Sequence, residues 1–497
     1  MSVFVLAALA LAAGLAAVRW LRVAQREHYL AGSVARFAWR WWSLDGRSIA
    51  LGLVAVAAAV ATIWYLPAGL ITAAAVAAGP PGLGLRGRSS RLGWTTRLKR
   101  LTAGVAVLVA LALLGGWLVH PIVAAMAVVG LPWLVDASLA LLAPIEKRLG
   151  NPWVDKAAAA LRDSGATIVA ITGSYGKTST KGYIAQLVGG SKRVLASPAS
   201  FNNRMGLARA INEHLAGGLD VFVAEMGTYG PGEIAELCSW IPPDISVITA
   251  IGPVHLERFG TEERIVDAKS EILERAGTAV LNVDDARLSA LAAEQAAARR
   301  TVVRVGTGDE ADVAVRDGVV LVEGEVVGRI PGAAHPTNVA CAVGVAVSLG
   351  VPLEAIARRL GDLAEPEHRR TLGTGSTGVL IIDDTFNANP EGARSALRTL
   401  LGAGVTGRTV VVTPGMVELG SRQSEENRLF AAEAAAAVDH FIVVGRTNRK
   451  ALTEGATGGR ATVDLVPSRE DAVEWVRSNL GSGDAVLYEN DLPDHYP

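Results

Sequence analysis

The sequence predicts an α/β protein with N-terminal transmembrane helices, then a phosphate-loop central domain and a Rossmann-like C-terminal domain. Three observations predict it. Uncharged apolar segments crowd into the first 145 residues, short β-rich runs alternate with segments of helical period from about 165 onward, and a glycine-rich turn joins the first of those runs to a helix. The chain has 497 residues, 50% of them hydrophobic and 19% charged, with a mean hydropathy of +0.33. That composition excludes a disordered chain, and the length suggests about three domain-sized units. With 47 Lys+Arg against 48 Asp+Glu, no nucleic-acid partner is expected. Cys238 and Cys341 are the only cysteines and neither lies in a C-x-x-C spacing, so neither a disulfide framework nor a cysteine zinc site can be built.

Segment 2–18 is uncharged, 48–79 is a longer apolar stretch broken at Tyr65-Leu66-Pro67, and 102–118 and 121–143 flank His120-Pro121. A bilayer core needs roughly 20 apolar residues per helix, so the first and last segments fit spans, and 102–118 does with little tilt. Stretch 48–79 reads as two short helices turning at Pro67 or as a re-entrant pair. Segment 2–18 has no Lys or Arg before it and basic residues after it, which favours an uncleaved anchor over a signal peptide. Loop 19–47 carries Arg19, Arg22, Arg26, Arg36, Arg40 and Arg47, and loop 86–100 carries Arg86, Arg88, Arg91, Arg97, Lys99 and Arg100; both are expected on the cytoplasmic side. The tryptophans among the arginines of 19–47 fit an interfacial helix, with a lipid-phosphate site as the sharper alternative.

Beyond 165, strands are expected at Thr167–Thr172, Val221–Met226, Ile245–Ala250, Ala279–Val283, Val379–Asp384, Val410–Thr413, Phe441–Gly445 and Ala485–Tyr488, with crossover helices between most of them. Residues 301–331 break this rhythm with short Val-rich runs around Gly and Asp, a small antiparallel excursion. A boundary is expected near Glu365-Pro366-Glu367-His368-Arg369.

The strongest chemical signal is AITGSYGKTST, residues 170–180. An apolar strand ends, Gly173 and Gly176 bracket Ser174 and Tyr175, and Lys177, Thr178 and Ser179 open a helix. Backbone N–H groups of such a loop cradle phosphate oxygens, Lys177 reaches the outer phosphates, and the Thr178 hydroxyl can bind Mg²⁺. The spacing G-x-x-G-K-T is shorter than the Walker A loop, because Ile171 stands where that motif has its first Gly. Further on, VFVAEMG puts Glu225 at the carboxyl end of a strand and ITAIGPVHLERFG puts His255 just past the next. Carboxyl ends of neighbouring parallel strands share a crevice, so Glu225 and His255 are candidate ligands for a divalent cation beside the loop. Lys269 lies on the helix that follows; a solvated surface lysine is its bland reading.

In order along the chain stand TGSYGKTS, SFNNRMG (200–206), AEMGTYGPGEI (224–234), HLERFG (255–260), AKSEI (268–272), LNVDD (281–285), IIDDTFNANP (381–390) and GMVELG (415–420). This series resembles the Mur ligase family over about 165–450, nearest to the branch that adds D-alanyl-D-alanine to a peptidoglycan precursor. The resemblance implies an ATP-dependent ligase that forms an amide through an acyl phosphate, with ATP and Mg²⁺ as cofactors. It further implies that Lys177 and Thr178 hold the triphosphate and metal, and that Glu225 and His255 bind magnesium. Lys269 matches a lysine the family carbamoylates in support of a second metal, Asn338 one that meets adenine, Arg369 one that reaches the γ-phosphate, and Asp384 an acid near the ribose. Asn387 and Asn389 shape the cleft or simply form the turn before Pro390. Ala334 and His335 replace the usual His-Asn pair, and DAVLYENDLPDHYP replaces a Gly-Ser-containing loop.

The expected organisation is a membrane region of about five helices over 1–149 in place of the family's UDP-sugar-binding domain, an ATP-binding central domain over 150–365 and a C-terminal domain over 366–497. The expected location is the bacterial cytoplasmic membrane, multi-pass, with the catalytic domains cytoplasmic. Expected partners are the lipid bilayer, an amino acid or peptide amine, and a cell-envelope precursor, with a lipid-linked substrate as the finer expectation. A second reading, a membrane-tethered ATPase driving transport or assembly, would leave Lys269 and the C-terminal motifs idle.

Overall fold

Alanine, leucine and valine uninterrupted by charge favour helix, and in the computed structural model the first helix runs Ser2–Arg26. The structure describes residues 2–87, 92–199, 201–332, 334–364, 371–375, 378–385, 389–493 and 495–497. Arg88, Arg91, the expected boundary at 365–369 and Asn387 lie outside them. The chain forms two units: Met1–Leu149 with Gly445–Thr447 and Leu492–Pro497, and Gly150–Val444 with Asn448–Asp491.

The first unit is helical. Asp45 caps Gly46–Ala61 by accepting from the Ser48 N–H at 2.8 Å, Pro67 precedes Ala68–Ala78, and Thr95 caps Thr96–Leu118. Arg19 is buried and donates to the Val76 and Ala77 carbonyls, closing the end of Ala68–Ala78 rather than snorkelling to an interface. The segment Leu492–Pro497 packs here as well. The Trp41 indole donates to the His495 carbonyl at 2.8 Å, and the His495 ring meets buried Glu27 at 2.8 Å.

This unit corrects the expected multi-pass location in the bacterial cytoplasmic membrane. Among the described residues two helices, Ser2–Arg26 and Thr96–Leu118, are long and apolar enough to cross a bilayer, or four if each sharply bent pair is one span. The reason is geometric: at 1.5 Å per residue the 16-residue and 11-residue helices on either side of Pro67 reach only about 24 and 17 Å, short of a ~30 Å hydrocarbon core. The apolar stretch from 121 likewise bends by 77° at Gly130, between Ile122–Val129 and Leu131–Ser164.

The second unit holds two mixed sheets. The first contains β1 (Thr167–Thr172), β2 (Val194–Ala196), β3 (Val221–Glu225), β4 (Ile245–Ile248), β5 (Thr278–Asn282), β6 (Thr301–Gly306), β7 (Val313–Arg316), β8 (Val319–Val322) and β9 (Glu325–Arg329). Their order is β2-β3-β1-β4-β5-β6-β7-β8-β9, parallel as far as β7 and antiparallel over β7-β8-β9, with a bulge at Val320/Leu321. The antiparallel excursion expected in 301–331 is this last part. β1 reads as an unbroken apolar run because both its faces are covered: Val169 and Ile171 pack with Tyr183 and Val343, Ile168 and Ala170 with Leu207 and Leu237.

The second sheet contains β10 (Thr371–Thr374), β11 (Leu380–Asp384), β12 (Thr409–Thr413), β13 (His440–Val444), β14 (Thr462–Val466) and β15 (Ala485–Glu489), in the order β10-β11-β15-β12-β13-β14. Only β10 runs antiparallel. Ile382, Val411 and Leu487 build the core on one face, Val410, Ile442 and Val486 that on the other. The strands missing from the sequence reading, β2, β10 and β14, all lie at a sheet edge; β2 and β14 are half-exposed and carry weaker apolar runs.

Candidate active site

The site begins where β1 runs out. Gly173 has φ +152°, and a Cβ there would fall 2.0 Å from Thr249 Oγ1. Gly176, at φ +77°, caps the helix Lys177–Val188, and a Cβ on it would fall 2.1 Å from Asn338 Oδ1. Only glycine fits either position, which is why the two bracket the turn. The loop is pinned to the next strand: the Ser174 N–H donates to the Ala250 carbonyl at 2.8 Å, and Ser174 Oγ bridges to Gly252. Asn338, on Pro336–Ser348, thus abuts the loop. Tyr175 is held against Gly252; its phenol is pushed up by burial and then by the acids Glu391, Glu426 and Glu262. Ser179 is buried one turn further on.

Helix geometry brings Lys177, Thr178 and Lys181 around Glu225. Lys177 Nζ donates to the Gly173 carbonyl at 2.7 Å, and Thr178 Oγ1 donates to Glu225 Oε2 at 3.0 Å. Lys181 Nζ lies 3.0 Å from the same oxygen and Asn202 Nδ2 3.3 Å from the other. Burial, the largest influence, raises the Glu225 pKa, but Lys181 and Lys177 with the Lys181 and Thr178 hydrogen bonds outweigh it and hold the carboxyl below its ordinary value. Lys269, buried on Glu262–Ser270, has its amine driven well below the usual lysine range by burial and then by the Lys177 cation. Burial also lowers the His255 imidazole, with Lys269 among the cations acting on it.

Mg²⁺ favours oxygen donors and takes few protein ligands, leaving the rest of its shell to phosphate and water. The Thr178 hydroxyl and Glu225 carboxylate fit that demand, and the Lys181 ammonium at 3.0 Å shows that the position accommodates a cation. His255 lies in the field of Lys269, which itself lies in that of Lys177. It meets Glu418 through Nδ1, and among the described residues no three His, Cys, Asp or Glu side chains converge as a metal group. Asp384 ends β11 beside Glu489, Asn389 caps Pro390–Leu401, and Arg369 lies outside the described residues.

Three participants were missed by sequence reasoning. Lys181 had a signal, since it lies four residues past Lys177 on one helix face. Asn202 lay unassigned inside SFNNRMG, and Glu418 inside GMVELG, 163 residues from the histidine it meets.

A glycine-loop α/β sheet joined to a second mixed sheet, with lysines and a carboxylate at the loop, defines a nucleotide-dependent enzyme class, and comparison makes it specific. Residues 171–346 match the Mur ligase middle domain and 368–488 the Mur ligase glutamate ligase domain. A UDP-N-acetylmuramoyl-tripeptide--D-alanyl-D-alanine ligase of Mycobacterium tuberculosis is 34% identical over 370 residues, 66% of this chain and 71% of the relative. That of Bacillus subtilis is 28% identical over 372 residues, 72% of this chain and 77% of the relative. The MurF ligase from Thermotoga maritima, solved in complex with ADP, has a TM-score of 0.58 at 26% identity, covering 69% of this chain and 80% of that one. MurF from Acinetobacter baumannii shares the fold at a TM-score of 0.59 and 24% identity, over 68% and 77% of the two chains. The chain belongs to the Mur ligase family, ATP-dependent ligases that form amide bonds in peptidoglycan precursors.

Proposed function

We propose that this chain joins a carboxylate of a cell-envelope peptide precursor to the amine of an amino acid or short peptide. The carboxylate oxygen attacks the γ-phosphorus of ATP and ADP leaves; the amine then attacks the acyl-phosphate carbonyl, loses a proton, and phosphate departs. The protein's part is alignment and charge neutralisation. The observation that carries this reading is the gathering of Lys177, Thr178 and Glu225 at the glycine loop, with Lys269 in the field of Lys177. The loop amides and Lys177 bind the triphosphate, Asn338 borders the nucleotide, and by the family resemblance Arg369 reaches the γ-phosphate and Asp384 the ribose. Bound Mg²⁺, held by Thr178 and Glu225 with His255 nearby, would offset the negative charge that builds up between the carboxylate and γ-phosphate. Burial and the Lys177 cation both lower the Lys269 pKa and so favour its neutral amine; addition of CO₂ to that amine with loss of a proton to solvent would make Lys269 an anionic carbamate beside Lys177.

In the finer reading the precursor is lipid-linked. Val107, Leu111, Leu114 and Leu118, spaced by four, three and four residues, form an exposed apolar stripe on Thr96–Leu118 that supports contact with an acyl chain. The test is to supply ATP, Mg²⁺, D-alanyl-D-alanine and either the UDP-linked or the lipid-linked form of one peptide precursor in detergent, and to identify products by mass spectrometry. Preferred use of the lipid form is expected; equal or better use of the UDP form rejects the finer reading, and no amide product from any amine rejects the whole. In the same assay Lys269→Ala should be nearly inactive and partly rescued by short carboxylic acids, and full activity without them would refute the carbamate.

A further inference from the structure

Glu418 is a carboxylate for which the mechanism above has no use. It sits in the loop after β12, yet its side chain meets His255, in the loop after β4. The contact is built from several directions. Arg258 Nη2 donates to the other Glu418 oxygen at 2.7 Å, and its guanidinium lies 4.7 Å over the Tyr229 ring, which in turn packs edge-on to His255 at 5.1 Å. The Glu257 N–H donates to the Glu418 carbonyl at 3.3 Å. Gly420, at φ +56°, lets the two backbones approach so closely that a Cβ would fall 3.1 Å from the Glu257 nitrogen. Both His255 and Glu418 hold left-handed backbone, φ +61° and +64°, a conformation that costs a non-glycine residue energy and persists where the surroundings enforce it. Arg422, two residues past Gly420, adds an ion pair to Glu262 at 2.8 Å.

We infer that Glu418 is a positioning residue for His255: by accepting the Nδ1 proton it fixes the ring and the tautomer, leaving Nε2 with the lone pair, while the loop after β12 is seated on the loop after β4. A carboxylate behind an imidazole orients it and makes its far nitrogen a better donor of electrons. The second sheet thereby reports its position to a group at the end of the first. This inference rests on the role given to His255 above.

The test uses full-length protein labelled with ¹⁵N-histidine, the His255 ring being assigned by its loss in His255→Asn. The wild-type ring should show the Nδ1–H tautomer in long-range ¹H–¹⁵N spectra. Glu418→Leu should abolish that preference and lower kcat about 10–100-fold with KM for ATP unchanged. Glu418→Gln, which keeps an acceptor oxygen, should restore most of both. An Nε2–H tautomer in the wild type, or Glu418→Leu with wild-type turnover and tautomer, would overturn the inference; should Glu418→Leu not fold, the wild-type spectrum and Glu418→Gln decide. Full turnover by His255→Asn would instead remove the role of His255 itself, whereas an inactive His255→Asn beside a fully active Glu418→Leu would remove only the positioning.

Discussion

Glu225 and Glu489 occupy the same place in two different sheets. Each is the last residue of an interior strand, after an apolar run, and each is buried, at 2% and 0% exposure. Their charge states diverge. Burial pushes both carboxyls up, but around Glu225 two lysines and the Thr178 hydroxyl reverse the effect. Around Glu489 the Thr413 hydroxyl opposes burial without offsetting it and Asp384, its register partner on β11, adds to it, so the group is pushed up to about 8. A strand-end glutamate is thus no site in itself. What makes Glu225 an anion is the helix that follows the glycine loop, with a cation at its first residue and another one turn on.

Removing those cations should bring the first glutamate toward the second. Lys177→Ala carries the largest expected effect, because it strips the charge meant for the transferring phosphoryl group: turnover should fall by at least about 10²–10³-fold in a protein that still folds, measured as ADP release with circular dichroism as control. Wild-type turnover would break the comparison at its functional end. Lys181→Met should leave Glu225 buried without its closest ion-pair partner and cost about 3 kcal/mol of stability in urea unfolding, of which Lys181→Met/Glu225→Gln recovers a good part. A fully stable single variant would show that Lys177 and Thr178 suffice.

An effect that appears only as pH changes sharpens the other side. The folded-state pKa of Glu489 lies above its ordinary value, so the native protein holds this proton more tightly than the unfolded chain. Its stabilising contribution is complete below about pH 4.5 and is lost as pH rises through about 8, with a slope of up to about 1.4 kcal/mol per pH unit. Glu489→Gln keeps an acceptor for Thr413 and should flatten that slope in a series of Tm measurements, raising Tm at pH 8 and leaving it unchanged at pH 4. An unaltered slope would mean that Glu489 is ionised in the native protein.

What was legible in the sequence follows the range of the interactions. Gly173 and Gly176 could be read because the demand on them is local: a turn of four residues must leave a strand and start a helix. Glu225 could be read as a strand end from VFVAEMG. Lys181 could have been, from one helical turn, yet nothing nearby says that it is buried, since its partner is 44 residues away at the end of a strand. Glu418 had no local signal at all, because its meaning comes from two loops that meet only after both sheets have formed. In the helical unit, composition announced the apolar helices and the break at Pro67, but ran 121–143 as one span where the chain bends at Gly130, a bend that acts on geometry and not on hydropathy. The grouping of Leu492–Pro497 with the first residues of the chain was equally out of reach, resting on Glu27, Trp41 and His495, more than 450 residues apart in sequence.

The antiparallel end of the first sheet bears on how this chain survives in a crowded solution. A nine-stranded sheet offers two rows of unpaired peptide groups, and such rows recruit strands from other copies. Here one border strand, β2, is only three residues long. The opposite one, β9, exposes Glu325 and Arg329 and follows a bulge that breaks the register at Val320/Leu321. Val326 is the exposed apolar side chain on that border, flanked by these charges. Replacing Glu325 and Arg329 with valine would therefore endanger the chain's colloidal behaviour long before it disturbed the chemistry, which lies at the other end of the same sheet.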